Sequence, residues 1–186
     1  PEVPRGVDGG ANIGMFALYV FWRRPLARLI AVEPDGGNLA CLAENVSQLW
    51  GASIRLLPAA LGRERGKAGL TGNWSDSIRA HPVSDGGEVD VVPLSEILTE
   101  PTDLLKLDVE GSELAALEGG GDHLRNVKRV VLENHEYSGR KSHLPDILVL
   151  LQRQGFDRIR ISGHRDFATA DVSLPVQCRI VAAWRS

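Results

Sequence analysis

The sequence predicts an α/β protein with a doubly wound, mostly parallel sheet, and three observations support this fold class. Short apolar segments alternate with amphipathic helical segments along all 186 residues, which favours a parallel sheet covered by helices on both faces. An acidic residue and a tight run of small residues, within 8–14, follow the first, short strand segment and indicate a sharp turn into a helix. Glu33 then ends the second one, roughly twenty residues after the run, where such folds hold a ribose.

The first half of the chain predicts two helices and three strands. Residues 12–22 indicate a helix, and residues 29–33 a short strand. Apolar residues recur at three- and four-residue spacing across 35–50, which predicts a second helix with one buried face. Residues 54–57 predict the third strand. The segment 62–87 is rich in Gly, Ser, Asp and Asn and lacks periodicity, so we expect a long irregular loop there.

The second half continues the same alternation. Its predicted strands are 89–92, 104–109, 130–133, 156–161 and 176–184, and its predicted helices are a short one at 94–98 and longer ones at 112–124 and 144–154. Pro145 suits the first turn of the last helix, and Gly155 suits its end. No helix-sized segment separates the last two strands, so we expect them to form an antiparallel pair that closes one edge of the sheet.

Composition excludes several functional classes. With 43% hydrophobic and 24% charged residues, the chain suits a single domain over residues 1–186. A net charge of −3 offers no basic surface for nucleic acid. The sequence has neither a membrane-spanning apolar run nor a signal peptide, so we expect no membrane partner and a cytoplasmic location. Cys41 and Cys178 are expected to be buried free thiols rather than a disulfide.

Ligands of such sheets bind beyond the carboxyl ends of the strands, and the first expected cluster there is Asp8, Gly10, Asn12 and Gly14. Only small residues let a strand–helix turn bring its backbone N–H groups close to a ligand. The alternative is a tight turn without a ligand. We expect Glu33 to bind the ribose, and its alternative role is a solvated strand end.

The second expected cluster lies in the fourth main strand, where Lys106, Asp108 and Glu110 interrupt an apolar run. Burying such charges is costly unless they are paired or used. We expect Asp108 and Glu110 to face the ligand. The alternative is an internal ion pair of Lys106 with Asp108 or Glu133 that only orders this edge.

His135 is expected to end the next strand together with its polar neighbours. A histidine facing a small-molecule site suits a general base at neutral pH, whereas a lone histidine is more often simply solvated. With Asp108, Glu110 and Glu133 it could also ligate Mg²⁺ or Mn²⁺. The sequence does not establish that these groups converge, and no metal is expected.

Four segments of the chain resemble the FkbM family of S-adenosylmethionine-dependent methyltransferases. They are residues 8–14, residues 32–35 with Asn38 and Asn45, residues 59–62, and residues 105–114. The match covers nearly the whole chain in the right order, and the charged segment of the fourth main strand is its most specific part. The resemblance implies a Rossmann-like class I methyltransferase fold whose last strand is antiparallel. It also implies O-methylation of a small-molecule partner, a hydroxyl-bearing sugar or secondary metabolite.

The resemblance also implies roles for individual residues. Gly10, Ala11, Asn12 and Gly14 would wrap the methionine moiety of S-adenosylmethionine, with Asp8 beside them, and Glu33 would hold the ribose with Pro34 and Asn38 nearby. Ser75, within residues 73–77, would lie beside the cofactor or acceptor, and Asp108 with Glu110 near the reacting centre. The family usually has several apolar residues before the first aspartate, whereas residues 1–6 here are not such a run. We therefore expect a short first strand and short or missing N-terminal elements.

The leading hypothesis is an S-adenosylmethionine-dependent O-methyltransferase. The sulfonium makes the methyl group electrophilic, so the protein must align the attack and exclude water. A hydroxyl acceptor needs a base, for which His135 and Asp108 are the candidates, and Lys106 is grouped with the catalytic residues.

Two rival hypotheses stay open. A nicotinamide-dependent oxidoreductase has a similar opening, although Ala11 stands where its second glycine should be and the charged strand has no role there. A methyltransferase-like domain that binds the cofactor without catalysis is the other rival, motivated by the short N-terminal segment. The oligomeric state is not predicted.

Overall fold

The computed structural model describes residues 4–49, 51–69, 88–137, 141–167 and 176–186. The strands are β1 (Arg5–Gly9), β2 (Arg28–Val32), β3 (Ser53–Leu57), β4 (Ala60–Gly62), β5 (Gly66–Gly69), β6 (Glu88–Pro93), β7 (Leu104–Leu107), β8 (Arg129–Tyr137), β9 (Arg158–Phe167) and β10 (Val176–Trp184). The helices are α1 (Met15–Arg23), α2 (Gly36–Ser47), α3 (Glu113–Gly120) and α4 (Leu144–Arg153).

Seven strands form the main sheet in the order β3-β2-β1-β7-β8-β10-β9. All neighbours from β3 to β8 pair in parallel, whereas β10 pairs antiparallel with both β8 and β9. The predicted doubly wound, mostly parallel sheet with an antiparallel last strand is confirmed. The strand order reverses beside β1, so a ligand crevice is expected at the carboxyl ends of β1 and β7.

Helices cover both faces of this sheet. Leu29 and Ala31 of β2 pack in one apolar cluster with α1 and α2, while Val32 belongs to a second cluster with α3 and α4. Successive side chains of a strand point to opposite faces, so the two clusters mark the two faces. This is the layered arrangement that the alternating sequence pattern predicts.

The first helix begins three residues later than predicted. Gly10, Asn12 and Gly14 all have positive φ angles, of 73°, 49° and 89°. A left-handed backbone cannot continue a right-handed helix, so residues 10–14 form a turn and α1 begins only at Met15.

Several predicted boundaries farther along the chain are also wrong. The predicted loop at 62–87 begins with a strand, because β5 pairs antiparallel with β6 in a second sheet of order β4-β6-β5; residues 70–87 lie outside the described part. The polar residues expected to end the strand at 130–133 lie inside β8, which pairing with β10 extends to Tyr137. Helix α3 ends at Gly120, since Gly121 has a φ of 47°.

Two further expectations concern the cysteines and the membrane. Both cysteines are free; Cys178 is buried as expected, but Cys41 is exposed, which corrects that part of the prediction. Among the described residues, no helix has both the length and the apolar character needed to cross a bilayer.

The close contact between α3 and the second sheet gives a stability prediction. A Cβ at Gly119 would lie 2.1 Å from the carbonyl oxygen of Gly62, so Gly119→Ala must displace one backbone from the other. We expect a loss of about 1–3 kcal/mol in the free energy of unfolding, measured with urea. Gly66→Ala is the control, since a Cβ there has open space; equal effects of the two substitutions would contradict the close packing.

Candidate active site at the carboxyl ends of β1 and β7

The strand–helix turn at residues 8–14, called the glycine turn below, is held against β2 and β7. The N–H groups of Gly10 and Ala11 both donate to the carbonyl of Val32 at 3.0 Å. A Cβ at Gly10 would lie 1.8 Å from the carbonyl oxygen of Asp108. Glycine is therefore required at this position both for its positive φ and for the close approach to the end of β7.

The backbone donors of the glycine turn are used within the protein. Beyond the two bonds to Val32, the N–H of Asn12 donates to Glu33 Oε2 at 2.8 Å. The N–H of Ile13 donates to the side chain of Asn12 at 2.7 Å, and that of Gly14 to the carbonyl of Ala11 at 2.9 Å. Pyrophosphate sites depend on free backbone N–H groups at such turns, so residues 10–14 do not favour a dinucleotide.

Glu33 is only 5% exposed, so its alternative role as a solvated strand end is wrong. Its carboxylate accepts hydrogen bonds from the N–H of Asn12 at 2.8 Å and from the N–H of Asp35 at 3.0 Å. The side-chain amide of Asn38 lies at 3.4 Å. The glycine turn thus depends on Glu33 for its shape, whatever else that residue binds.

Lys106 joins the glycine turn to the charged strand β7. Its Nζ donates to the carbonyl of Gly10 at 2.8 Å and lies 3.0 Å from Asp8 Oδ1, the residue opposite it across the β1–β7 pair. Asp108 Oδ2 lies farther away, at 3.8 Å. The ion pair with Asp108 was anticipated as an alternative, but the closest carboxylate, Asp8, was not.

Asp8, the first residue of the glycine turn, is fully buried. Burial raises the pKa of its carboxyl to about 6, although the ammonium of Lys106 opposes this shift. A buried carboxylate is stable only with such a partner. Asp8 therefore acts on the site through Lys106 and Gly10 in this structure.

Four residues near the carboxyl end of β7 form what we call the acid–histidine cluster: Asp108 and Glu110 after β7, Glu113 at the start of α3, and His135 within β8. His135 Nδ1 lies 3.1 Å from Glu113 Oε1, and its Nε2 lies 3.4 Å from Glu110 Oε2 and 4.0 Å from Asp108 Oδ1. The structure thus brings together Asp108, Glu110 and His135, whose convergence the sequence did not establish. It adds Glu113, which the sequence analysis missed although it is a charged residue in the first turn of an apolar helix.

A sharp turn of the chain between β7 and α3 assembles this cluster. Glu110 and Gly111 both have positive φ angles, of 52° and 99°. The N–H of Gly111 donates to Glu113 Oε1 at 3.0 Å, and the N–H of Asp108 donates to the carbonyl of Gly9 at 3.0 Å. These bonds place the cluster directly beside the glycine turn.

The cluster perturbs the charge of its own members. Burial disfavours charge on His135, but its bond to Glu113 and the neighbouring charges of Glu110 and Asp108 outweigh this and raise its pKa to about 9. Burial also raises the pKa of Asp108 and of Glu110. A ring that holds its proton at neutral pH is an acid, so a general-base role for His135 first requires loss of that proton.

Cys178 is a further group at this edge that the sequence analysis left without a role. Its Sγ lies 2.6 Å from Glu133 Oε1. Burial, together with that carboxylate, raises the pKa of the thiol far above its usual range. A thiol that stays protonated is a poor nucleophile.

The remaining predicted site residues are placed as follows. Pro34 and Asn38 are half-buried beside Glu33, whereas Asn12 is exposed. Asn45 donates from its side-chain amide to the carbonyl of Ile13 at 2.8 Å and so ties α2 to the glycine turn. Ser75 and the rest of 73–77 lie outside the described residues.

Comparisons with known proteins agree on one family. Residues 8–158 match the model of the methyltransferase FkbM domain. The methyltransferase sdnD of Sordaria araneosa is 31% identical, over 86% of this chain and 76% of its own length. The 31-O-demethyl-FK506 methyltransferase FkbM of Streptomyces tacrolimicus is 29% identical, over 80% of this chain and 71% of its own length.

A solved structure shows the same fold. The crystal structure of methyltransferase FkbM from Methylobacillus flagellatus KT superposes with a TM-score of 0.66 at 19% identity. The match covers 98% of this chain but 44% of that one, so the present chain spans less than half of that relative.

The ion pair of Lys106 gives a prediction on stability. Lys106→Met leaves the Asp8 carboxylate buried without its cation, so we expect a loss of about 3 kcal/mol or more in the free energy of unfolding. Adding Asp8→Asn should recover part of this loss, because the uncompensated charge is then absent. Urea titration measures the free energy of unfolding of the single and the double variant. Lys67→Met, which removes an exposed ion pair with Asp90, is the control and should leave the free energy of unfolding unchanged. If the losses in unfolding free energy from the Lys106 and Asp8 substitutions simply added, the pairing would be contradicted.

Proposed function

This chain is a methyltransferase of the FkbM family, and from that premise we propose that it methylates a hydroxyl oxygen of a sugar or secondary metabolite, with S-adenosylmethionine as the donor. The observation that supports this most is the junction at Lys106. One side chain joins the glycine turn, where the family implies the cofactor, to the acid–histidine cluster, where a hydroxyl could be activated.

The residues present fit this cofactor better than a dinucleotide. S-adenosylmethionine carries its reactive methyl group on a positively charged sulfonium and has no phosphate. The glycine turn uses its N–H groups internally, and the adjoining carboxylates complement a cation. We assign the methionine moiety to Gly10, Ala11, Asn12 and Gly14.

The same proposal assigns the ribose to Glu33. Each carboxylate oxygen has more than one acceptor direction. Glu33 can therefore accept a ribose hydroxyl while it keeps its bonds to Asn12 and Asp35. Pro34 and Asn38 adjoin this position.

The acid–histidine cluster would prepare the acceptor. An O–CH₃ bond forms as the sulfur–methyl bond breaks, and the hydroxyl proton must leave with a base. The side chain of Asp108 is 33% exposed, whereas that of His135 is 9% exposed, so Asp108 is the more accessible group for an incoming acceptor. In this proposal His135 orients the carboxylates, and Lys106 fixes Asp108 beside the glycine turn.

The proposed class of methyl acceptor is supported by the name of one relative and by the net charge of the chain. The Streptomyces tacrolimicus relative is named for methylation of 31-O-demethyl-FK506, and a hydroxylated metabolite is the analogous acceptor here. A net charge of −3, with carboxylates gathered at the site, disfavours a phosphate-rich nucleic acid.

Cofactor identity is testable by calorimetric titration of the whole chain. S-adenosylmethionine and S-adenosylhomocysteine should both bind, and NAD should not. Glu33→Ala should weaken binding of the adenosyl ligands at least tenfold, because both the ribose contact and the shape of the turn are lost. Glu44→Ala, at an exposed position of α2, is the matched control. Binding of NAD alone would overturn the proposal.

The role of Asp108 is testable by isosteric replacement. We expect Asp108→Asn to lower methyl transfer about 100-fold or more, the usual effect of removing a positioned base, while affinity for S-adenosylhomocysteine changes little. Transfer of labelled methyl groups to a panel of hydroxylated sugars and macrolides measures the rate. Cofactor binding without transfer to any acceptor would favour a non-catalytic binding domain.

A further inference from the structure

We propose that Asp108, Glu110 and His135 bind one divalent metal ion, of the magnesium or manganese type, on the acceptor side of the site. The catalytic role of this ion rests on the proposed function, whereas its binding does not and can be measured separately. Each of the three residues presents one ligand atom, and these atoms lie within 4.8 Å of one another.

The distances suit a shared ion. His135 Nε2 lies 3.4 Å from Glu110 Oε2 and 4.0 Å from Asp108 Oδ1. Ligands held at about 2.1 Å in an octahedron lie roughly 3.0 Å apart when adjacent and roughly 4.2 Å apart when opposite. Both distances from the imidazole lie within this range.

The orientation of the imidazole is fixed for ligation by a residue outside the ligand set. Glu113 is buried, and its carboxylate can only accept from His135 Nδ1, 3.1 Å away. Nδ1 therefore carries a proton, and Nε2 is the nitrogen directed at Asp108 and Glu110. A carboxylate behind a histidine in this way is the usual support of a metal-bound imidazole.

Glu113 is itself held in place, which makes it a positioning residue rather than a ligand. The N–H of Gly111 donates to the same Oε1 at 3.0 Å. The carboxylate is thus fixed at the start of α3 before any ion binds.

The charge of the surroundings favours a cation. Asp108, Glu110, Glu113 and Glu133 all face His135 or lie next to it. The ammonium of Lys106 lies 3.8 Å from Asp108 Oδ2. It lies closer to Asp8 and to the carbonyl of Gly10, and both of these groups share its charge. A divalent ion would neutralise two of these carboxylates at once.

A second set of three groups, Glu133, His135 and Cys178, competes for the same histidine. Its thiol lies 2.6 Å from Glu133, as a donor to that carboxylate, and would have to lose its proton to ligate. Two carboxylates and one imidazole form the set that suits magnesium or manganese, whereas a thiolate would favour softer ions. The set with Asp108 and Glu110 is therefore the one proposed.

Three protein ligands leave other coordination positions open. The side chains of Asp108 and Glu110 are 33% and 41% exposed, so these positions face the accessible side of the site. A hydroxyl oxygen bound there becomes more acidic. Its proton would leave with a base, as proposed above, while the O–CH₃ bond forms and the sulfur–methyl bond breaks. Asp108 and Glu110 would then activate the acceptor by holding the ion.

Titration of Mn²⁺ into the whole chain, followed by electron paramagnetic resonance, tests the site without cofactor or acceptor. We expect one equivalent to bind, and His135→Ala or the double variant D108N/E110Q to weaken binding more than tenfold. Glu113→Gln should weaken it about 10- to 100-fold through the histidine alone. Glu96→Gln, on an exposed ion pair with Arg65, is the control. Circular dichroism of each variant verifies that it is folded.

Several results would overturn the proposal. The first is that the wild-type chain does not bind Mn²⁺ at millimolar concentration. The second is that a folded His135→Ala variant binds Mn²⁺ with wild-type affinity. The third is that Cys178→Ser loses Mn²⁺ binding while D108N/E110Q retains it. Failure of the metal site is distinguishable from failure of the proposed function. Methyl transfer that continues unchanged in EDTA would contradict only the catalytic role of the metal. Mn²⁺ binding without binding of S-adenosylmethionine would contradict only the proposed methyl transfer.

Discussion

The contacts of one half-buried lysine determine how the two halves of the site meet. Lys106 reaches from β7 to Asp8 at 3.0 Å and to the carbonyl of Gly10 at 2.8 Å. An ammonium in such a place is tolerated only with close partners. These partners fix the end of β1 and the glycine turn against β7. Asp108, two residues along the chain, is thereby placed beside the turn to which we assign the cofactor.

The glycine turn and the acid–histidine cluster both favour a ligand without phosphate groups. The glycine turn satisfies its own N–H groups through Val32, Glu33 and its own members. The acid–histidine cluster adds carboxylates around a single imidazole. Backbone N–H groups attract anions, whereas carboxylates attract cations. The carboxylates of the site therefore favour a sulfonium cofactor over a dinucleotide, and they also favour the proposed divalent ion.

Much of this was accessible from the sequence, because the informative signals are local. The alternation of strands and helices, the small residues of the turn and the charges within β7 all lie in short segments. Glu113, the Asp8–Lys106 pair and the length of β8 were missed because each depends on a non-local partner: His135, the β1–β7 register and β10. The second sheet was missed because β5 has little apolar pattern of its own and depends on β6.

The central claim is that the glycine turn and the acid–histidine cluster form one methyl-transfer site. A crystal structure of the chain with S-adenosylhomocysteine tests it most directly. The account predicts the ligand along residues 10–14, with its ribose hydroxyls within hydrogen-bonding distance of Glu33 and its sulfur on the side of Asp108. A ligand bound elsewhere on the molecule, or one whose sulfur points away from Asp108, would contradict the account.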